Sequence, residues 1–452
     1  MRLRFLLPGG GRGRGLGGLT PRASRATRPR PLIRPAKLAA AVALALAAAL
    51  AAVLVVGCGS SSAPVPTAAP TPTQPAPPAP RPQRLSIGIS EANPSLLSPG
   101  GVAPGFAAWR DRLFALHPRW YRLPVDWSKL QPDPAKAADL GRAQDGCLRG
   151  LPPCGPFAGV EAELRAIRQA QLAQGGFEVV VVISGVPAWA AAPARGCERS
   201  DASSRSRPIT AAGLAGYREL LAELEAIGRR TGVALDWWSP WNEPNHPAFI
   251  SPQRAACQTS SPTLSPGVYA QIVRAARAQL GPSRRLVLGE LAGFAGPTPR
   301  GTGVGEFVRA LPDDVACAGA VWAQHAYTQP DGRAPDAVGE LERALAGRPC
   351  TAARPIWVTE TGVGGPRSGA PRDRSPEALA AQCRAQAAAL ERWDADPRVQ
   401  AAFQYTFRED TAYPVGLADA GLTRIYPTYD LWLRWSRAGP DAPGPPASPP
   451  GC

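Results

Sequence analysis

Two apolar runs in this sequence end in a glutamate. One reads Trp237-Trp238-Ser239-Pro240-Trp241-Asn242-Glu243-Pro244-Asn245, and the other Ile356-Trp357-Val358-Thr359-Glu360-Thr361-Gly362. An apolar run that turns polar is what a buried strand leaves where it emerges. Two carboxyl groups facing each other across a cleft suit the hydrolysis of a glycosidic bond. One gives a proton to the departing oxygen, and the other attacks the anomeric carbon or activates water there. Either glutamate alone is equally well explained as a solvated or salt-bridged strand end. The pair together is what asks for a chemical explanation.

Something must hold two such strand ends in register. From Leu85 on, short apolar runs alternate with longer amphipathic stretches. Strands are predicted at Leu85–Ile89, Trp120–Leu123, Phe177–Ser184, Leu235–Ser239, Arg285–Gly289, Gly319–Gln324, Ile356–Thr359 and Ala401–Tyr405. Helical patterns cover Phe106–Leu116, Val160–Gln174, Ala211–Arg230, Gly267–Leu280, Val304–Leu311, Asp336–Ala346, Pro376–Trp393 and Tyr429–Ser436, with Thr210 and Ser375 placed as N-caps. A βα repeat sustained eight times predicts a parallel sheet of α/β class, closed as a (β/α)8 TIM barrel so that no edge strand is left. The competing architecture is an open doubly wound sheet. No GxGxxG follows the first strand to support a dinucleotide site. In a barrel of this kind the chemistry sits at the C-terminal ends of the strands, where Glu243 and Glu360 fall.

With those residues in place, the chain resembles clan A glycoside hydrolases, the superfamily of cellulases, β-mannanases and β-xylosidases. Its motifs are Asn-Glu-Pro after the fourth strand and a second Glu ending the seventh, and its layout spans most of residues 85–436. The resemblance implies Glu243 as acid/base and Glu360 as nucleophile in a retaining mechanism, with carboxyl groups about 5 Å apart rather than about 9 Å. It also implies that Arg122 contacts the nucleophile and favours its ionised form. His325 and Tyr327 match a His-x-Tyr pattern whose Tyr holds the nucleophile, and Asn242 is expected on the sugar 2-hydroxyl. Glu360 is then the anion, and Glu243 keeps its proton. One position departs from the pattern: the strand-eight Trp is missing from Phe403-Gln404-Tyr405-Thr406-Phe407, so Tyr405 or Phe407 must replace it. Trp127, Trp189 and Trp241 follow strand ends and are expected to stack on sugar faces. Glu290, Glu91, Glu409, Asp410 and His246 are further subsite candidates. No metal and no cofactor are expected: there are three His and no paired CxxC motifs. Two other classes fit the same barrel, a glycan-binding protein without turnover and a metal-dependent hydrolase.

The rest of the chain bears on location. The 452 residues carry a formal charge of +15, but residues 1–37 hold ten basic side chains and no acidic one; subtracting ten from fifteen leaves about +5 for the remainder. The basic tail precedes Leu38–Val56, built only of Ala, Leu and Val, so export explains it better than nucleic acid does. Leu54-Val55-Val56-Gly57-Cys58 looks like a bacterial lipobox with Cys58 as the lipidated residue; an uncleaved membrane anchor is the alternative. Residues 1–57 are thus expected to be a signal segment and 58–83 a Pro-rich linker. Residues 84–438 form the catalytic domain, and 439–452 a loose Pro-rich tail. The protein is expected as a monomer on the outer face of a bacterial cell membrane, or secreted, acting on an oligo- or polysaccharide. Eight Cys beyond Cys58 suggest disulfides, and 105 connectivities are possible. The set chosen is Cys147–Cys154, Cys197–Cys257, Cys317–Cys350 and Cys383–Cys452.

Overall fold

The computed structural model describes residues 84–97, 106–294, 296–365, 370–438 and 444–452. The signal segment, Cys58 and the linker lie outside the described residues. Among the described residues, no helix is long and apolar enough to cross a membrane.

Eight parallel strands, among the described residues, close into a barrel in which each pairs with its sequence neighbours. They are β1 (Ser86–Ser90), β2 (Trp120–Asp126), β3 (Glu178–Ser184), β4 (Trp237–Ser239), β5 (Arg285–Leu291), β6 (Val321–His325), β7 (Ile356–Thr361) and β8 (Val399–Tyr405). The principal helices are α1 (Phe106–Phe114), α2 (Val160–Gln174), α3 (Ala211–Thr231), α4 (Ser265–Leu280), α5 (Val304–Ala310), α6 (Ala337–Ala346), α7 (Pro376–Asp394) and α8 (Pro427–Arg437). The fold is the (β/α)8 barrel that the alternating pattern predicts. Thr210 and Ser375 cap α3 and α7, accepting from the backbone N–H of Gly213 and Ala378.

The lower barrel is filled by Trp120, Val180, Trp237, Val287, Val321, Ala323, Trp357, Ala401 and Phe403. The Trp357 ring lies 4.4 Å from Trp120 and 4.7 Å from Trp237. Such bulk needs a gap elsewhere, and Gly88 provides it: a Cβ there would meet the Phe403 ring at 2.5 Å. Side chains two residues along a strand share a face. Directly above this aromatic plug the barrel therefore presents Arg122 after Trp120, His325 after Ala323 and Tyr405 after Phe403. The plug is a floor that keeps these polar groups at the strand ends.

The chosen disulfides are all present, at Cys147–Cys154, Cys197–Cys257, Cys317–Cys350 and Cys383–Cys452. The last ties the final residue to α7, so the end of the Pro-rich tail is held rather than loose. If the bridges act by restricting the unfolded chain, cost should follow loop size. Replacing Cys197 and Cys257 by Ala, which opens a separation of 60 residues, is expected to cost about 4 kcal/mol; opening the separation of 7 at Cys147–Cys154 costs about 2. Guanidinium unfolding midpoints check this, and equal or reversed shifts contradict it.

Candidate active site

At the C-terminal end of the barrel, Arg122 gathers the acidic strand ends. It is 2% exposed. Its Nη1 donates to Glu360 Oε1 at 2.7 Å and to Ser90 Oγ at 2.9 Å; its Nη2 donates to Asn242 Oδ1 at 2.5 Å and to Glu290 Oε2 at 2.9 Å. Asp126, at the end of the same strand, is not among its partners and accepts from Ser128 and Arg205 instead. A buried guanidinium in a fork of two carboxylates keeps its charge: burial works against it, and Glu290 and Glu360 more than compensate.

Glu360 accepts on both oxygens, from Arg122 and, at 2.5 Å, from the Tyr327 hydroxyl. Burial and the Glu360 charge push the Tyr327 phenol well up, so it stays a donor. Strict alternation along β7 would turn Glu360 outward, since Trp357 points in. A register shift corrects this: Gln324 pairs with Val358, but the next residue, His325, pairs with Glu360. Such bulges re-aim side chains at barrel rims.

Glu243 is placed by different means. Asn242 N–H continues the ladder to Ile183 O, and Glu243 N–H donates to Glu290 O at 3.0 Å. Glu243 itself adopts a left-handed backbone, φ 38°. Its Oε1 meets His325 Nδ1 at 2.8 Å, while His325 Nε2 meets Glu290 Oε2 at 2.8 Å. A carboxylate oxygen of Glu243, a ring nitrogen of His325 and a carboxylate oxygen of Glu360 lie within 4.8 Å of one another.

These contacts correct one expectation. Glu243 was expected to hold its proton, but its surroundings favour the anion. Burial raises its proton affinity, yet the hydrogen bond and charge of His325, helped by His246 and Arg122, bring it below the ordinary carboxyl range. His325 is shifted the opposite way. Burial pulls that imidazole down, and Glu360, Glu243 and Glu290 together raise it to about 10.

A cavity of about 620 Å³ opens over this cluster, within the usual size for a small-ligand site. Asn242, Glu243, His325, Tyr327, Glu360 and Tyr405 line it. Aromatic faces come from Phe249, Phe294, Tyr405 and Tyr413, and polar groups from Arg149 and Asp410, whose ion pair measures 2.8 Å. His246, stacked on Phe294 at 5.2 Å, joins the wall. Tyr405 thus stands where the missing Trp was sought; Phe407 is fully buried instead.

Trp127 and Trp189 are corrections, since neither lines the cavity. Trp127 opens a short helix, is wholly buried, and packs edge-on against Trp189 and Tyr217. Trp189 lies over Gly216 and donates its Nε1–H to Gln131 O. Trp241 is also buried, against Tyr217. Of the acidic candidates, Asp410 reaches the cavity. Glu91 is buried, accepting from Asn93 and the Phe407 and Arg408 backbone; Glu409 pairs with Arg372. Arg149, Phe294 and Tyr413 come from loops that gave no periodic signal.

Among the described residues, Glu243, His325 and Glu360 are also the groups close enough together to hold a metal ion. Their donor atoms are otherwise engaged: His325 Nδ1 with Glu243, and both Glu360 oxygens with Arg122 and Tyr327. A cationic guanidinium 2.7 Å from the would-be ligand also opposes a second cation.

No protein-family model and no curated protein matches this sequence. Solved structures do match. SrfJ from Salmonella typhimurium is 11% identical over 80% of this chain and 76% of its own, with a TM-score of 0.51. A family 39 glycoside hydrolase from Bacteroides cellulosilyticus WH2 is 15% identical over 78% of this chain, TM-score 0.49; the match spans 64% of that protein's length. A GH5_18 protein from Bifidobacterium longum subsp. infantis is 16% identical over 80% of each chain, TM-score 0.47. At these identities the likeness is one of fold.

Proposed function

We propose that this protein is a retaining glycoside hydrolase that cleaves β-glycosidic bonds of an oligo- or polysaccharide by double displacement. The observation that carries the proposal is the spacing of Glu243 and Glu360, whose carboxylate oxygens come within 4.8 Å. Retaining enzymes hold the two groups about 5–5.5 Å apart, whereas inverting ones leave about 6.5–9.5 Å for a water between them.

Each residue has a task. Glu360, fixed by Arg122 and Tyr327, attacks the anomeric carbon as the bond to the departing oxygen breaks. Glu243 protonates that oxygen. In the second step Glu243 takes a proton from water, the water oxygen attacks the anomeric carbon, and Glu360 leaves as carboxylate. The proton for the first step is stored on His325. A sugar filling the cleft excludes water and strengthens the burial that already favours a neutral Glu243. The proton then passes from Nδ1 to the carboxyl across 2.8 Å. Asn242, held by Arg122, faces the cavity where it can meet the 2-hydroxyl, and Tyr405 offers a ring to the sugar.

The same proposal places the enzyme outside the cytoplasm, where four disulfides persist. It keeps Cys58 as the lipid anchor, residues 58–83 as the linker and a monomer as the working unit. Reducing-sugar release by residues 84–452 from xylan, mannan, β-glucans and aryl glycosides tests the activity. Turnover on at least one is expected; binding without turnover would favour a glycan-binding protein, and loss of turnover with a chelator a metal enzyme.

A further inference from the structure

Glu290 has no task in the scheme above, yet the chain distorts itself to place it. It is wholly buried. Along β5, Val287 points into the barrel, so the alternation would send Glu290 outward. A bulge intervenes: Gly289 pairs with Ala323, and Leu291, not Glu290, pairs with Gln324. Gly289 takes φ 95°, and a Cβ there would lie 2.6 Å from Ala323 O. Glu290 takes φ 51°, a left-handed conformation that strains a non-glycine residue. The result is a carboxylate oxygen on which three donors converge: Arg122 Nη2 at 2.9 Å, His325 Nε2 at 2.8 Å and Thr359 Oγ1 at 3.0 Å. Glu290 also holds the acid/base residue directly, through its carbonyl to Glu243 N–H.

Resting on the proposed retaining mechanism, we propose that Glu290 is a positioning residue: it fixes the His325 ring with Nδ1 toward Glu243, and its charge keeps that ring protonated as the proton store for the acid step. A neutral imidazole donates from one nitrogen only, whereas this ring meets a carboxylate at each. The ionisable groups acting on His325 are Glu360 on β7, Glu243 beyond β4 and Glu290 on β5, with His246 also beyond β4; Arg122 on β2 and Tyr327 beyond β6 meet Glu360, and Tyr269 on α4 lies behind Glu290. Glu290 is the anion best kept: burial would raise it, but Arg122 and His325 hold it at about 2. Its removal takes a negative charge from Nε2, so the His325–Glu243 pair should release its proton at lower pH.

The three histidines make this measurable. With ring-15N histidine, and His117→Gln and His246→Gln for assignment, His325 of the wild type should stay doubly protonated through neutral pH. In Glu290→Gln it should titrate at least about one pH unit lower, and the alkaline limb of kcat should move with it. Glu290→Asp keeps a charge near Arg122 but withdraws it from Nε2, so it should shift less in the same direction; this variant decides if the Gln variant does not fold. A neutral His325 in the wild type, or a folded variant with unchanged titration, overturns the proposal. The spectra need no substrate. Failure to hydrolyse any glycoside would therefore sink the enzymatic assignment while leaving the Glu290–His325 pairing to be judged on the titration.

Discussion

Glu360→Gln is expected to lower kcat by roughly 10⁴–10⁶-fold, the range seen when a covalent catalyst loses its nucleophilic unit. That corresponds to about 5–8 kcal/mol of lost transition-state stabilisation. The amide keeps the shape of the carboxylate but cannot form the glycosyl ester. Its one carbonyl oxygen can still accept from Arg122, as Oε1 does at 2.7 Å, while its NH2 group, which cannot accept, can instead donate to the Tyr327 hydroxyl oxygen. Arg122 also retains its 2.9 Å contact with Glu290. The fold should therefore survive, and circular dichroism with a thermal melt separates lost chemistry from lost structure. Substantial turnover by a folded Glu360→Gln protein would remove Glu360 as the nucleophile.

Glu243→Gln should be the second largest effect, about 10²–10⁴-fold, but with a dependence on the leaving group. An alkyl or sugar leaving group needs the proton. A dinitrophenolate does not, so the first step should survive on a dinitrophenyl glycoside while the second, which needs a base for water, stalls. A burst of phenolate followed by slow turnover is expected, and added azide, which needs no base, should restore the slow phase. Equal loss on every substrate, with no azide rescue, would argue that Glu243 is not the acid/base.

Both variants probe positions that were legible in the sequence, and the reason is physical. An apolar strand that ends in a charge marks a barrel rim, and Asn242-Glu243 and Glu360 carry that signal without any knowledge of contacts. Period-two spacing also foretells which residues stand above the aromatic floor: Arg122 two after Trp120, Tyr405 two after Phe403. What was not legible depends on departures from that period. Glu290 looked like one more polar strand end, because the one mark of the bulge that turns it inward is a single glycine, Gly289, and a glycine at a strand end is equally expected of a turn. Trp127 and Trp189 follow strands as a sugar platform would, but a helical turn at Trp127 directs its ring into the packing around Tyr217. The charge on Glu243 was misjudged for a related reason. The expectation weighed only Arg122 and Tyr327, whereas His325 bridges Glu243 and Glu290, and its hydrogen bond and charge draw Glu243 toward the anion.

Arg149 and Tyr413 show a different limit. They come from loops of irregular backbone, and they border the cavity at Asp410 and Tyr327. Loop residues of this sort tune which sugar fits, and their placement follows from tertiary contacts that no local pattern records.

The stereochemistry of the first-formed product tests the central claim most directly. Following hydrolysis of a β-glycoside by proton NMR, before mutarotation sets in, reports the anomeric configuration released by the enzyme. The approach of Glu243 to Glu360, with carboxylate oxygens within 4.8 Å of each other, predicts that the β-anomer appears first and the α-anomer only as mutarotation proceeds. Initial appearance of the α-anomer would mean a single displacement by water, and would contradict the assignment of Glu360 as a nucleophile.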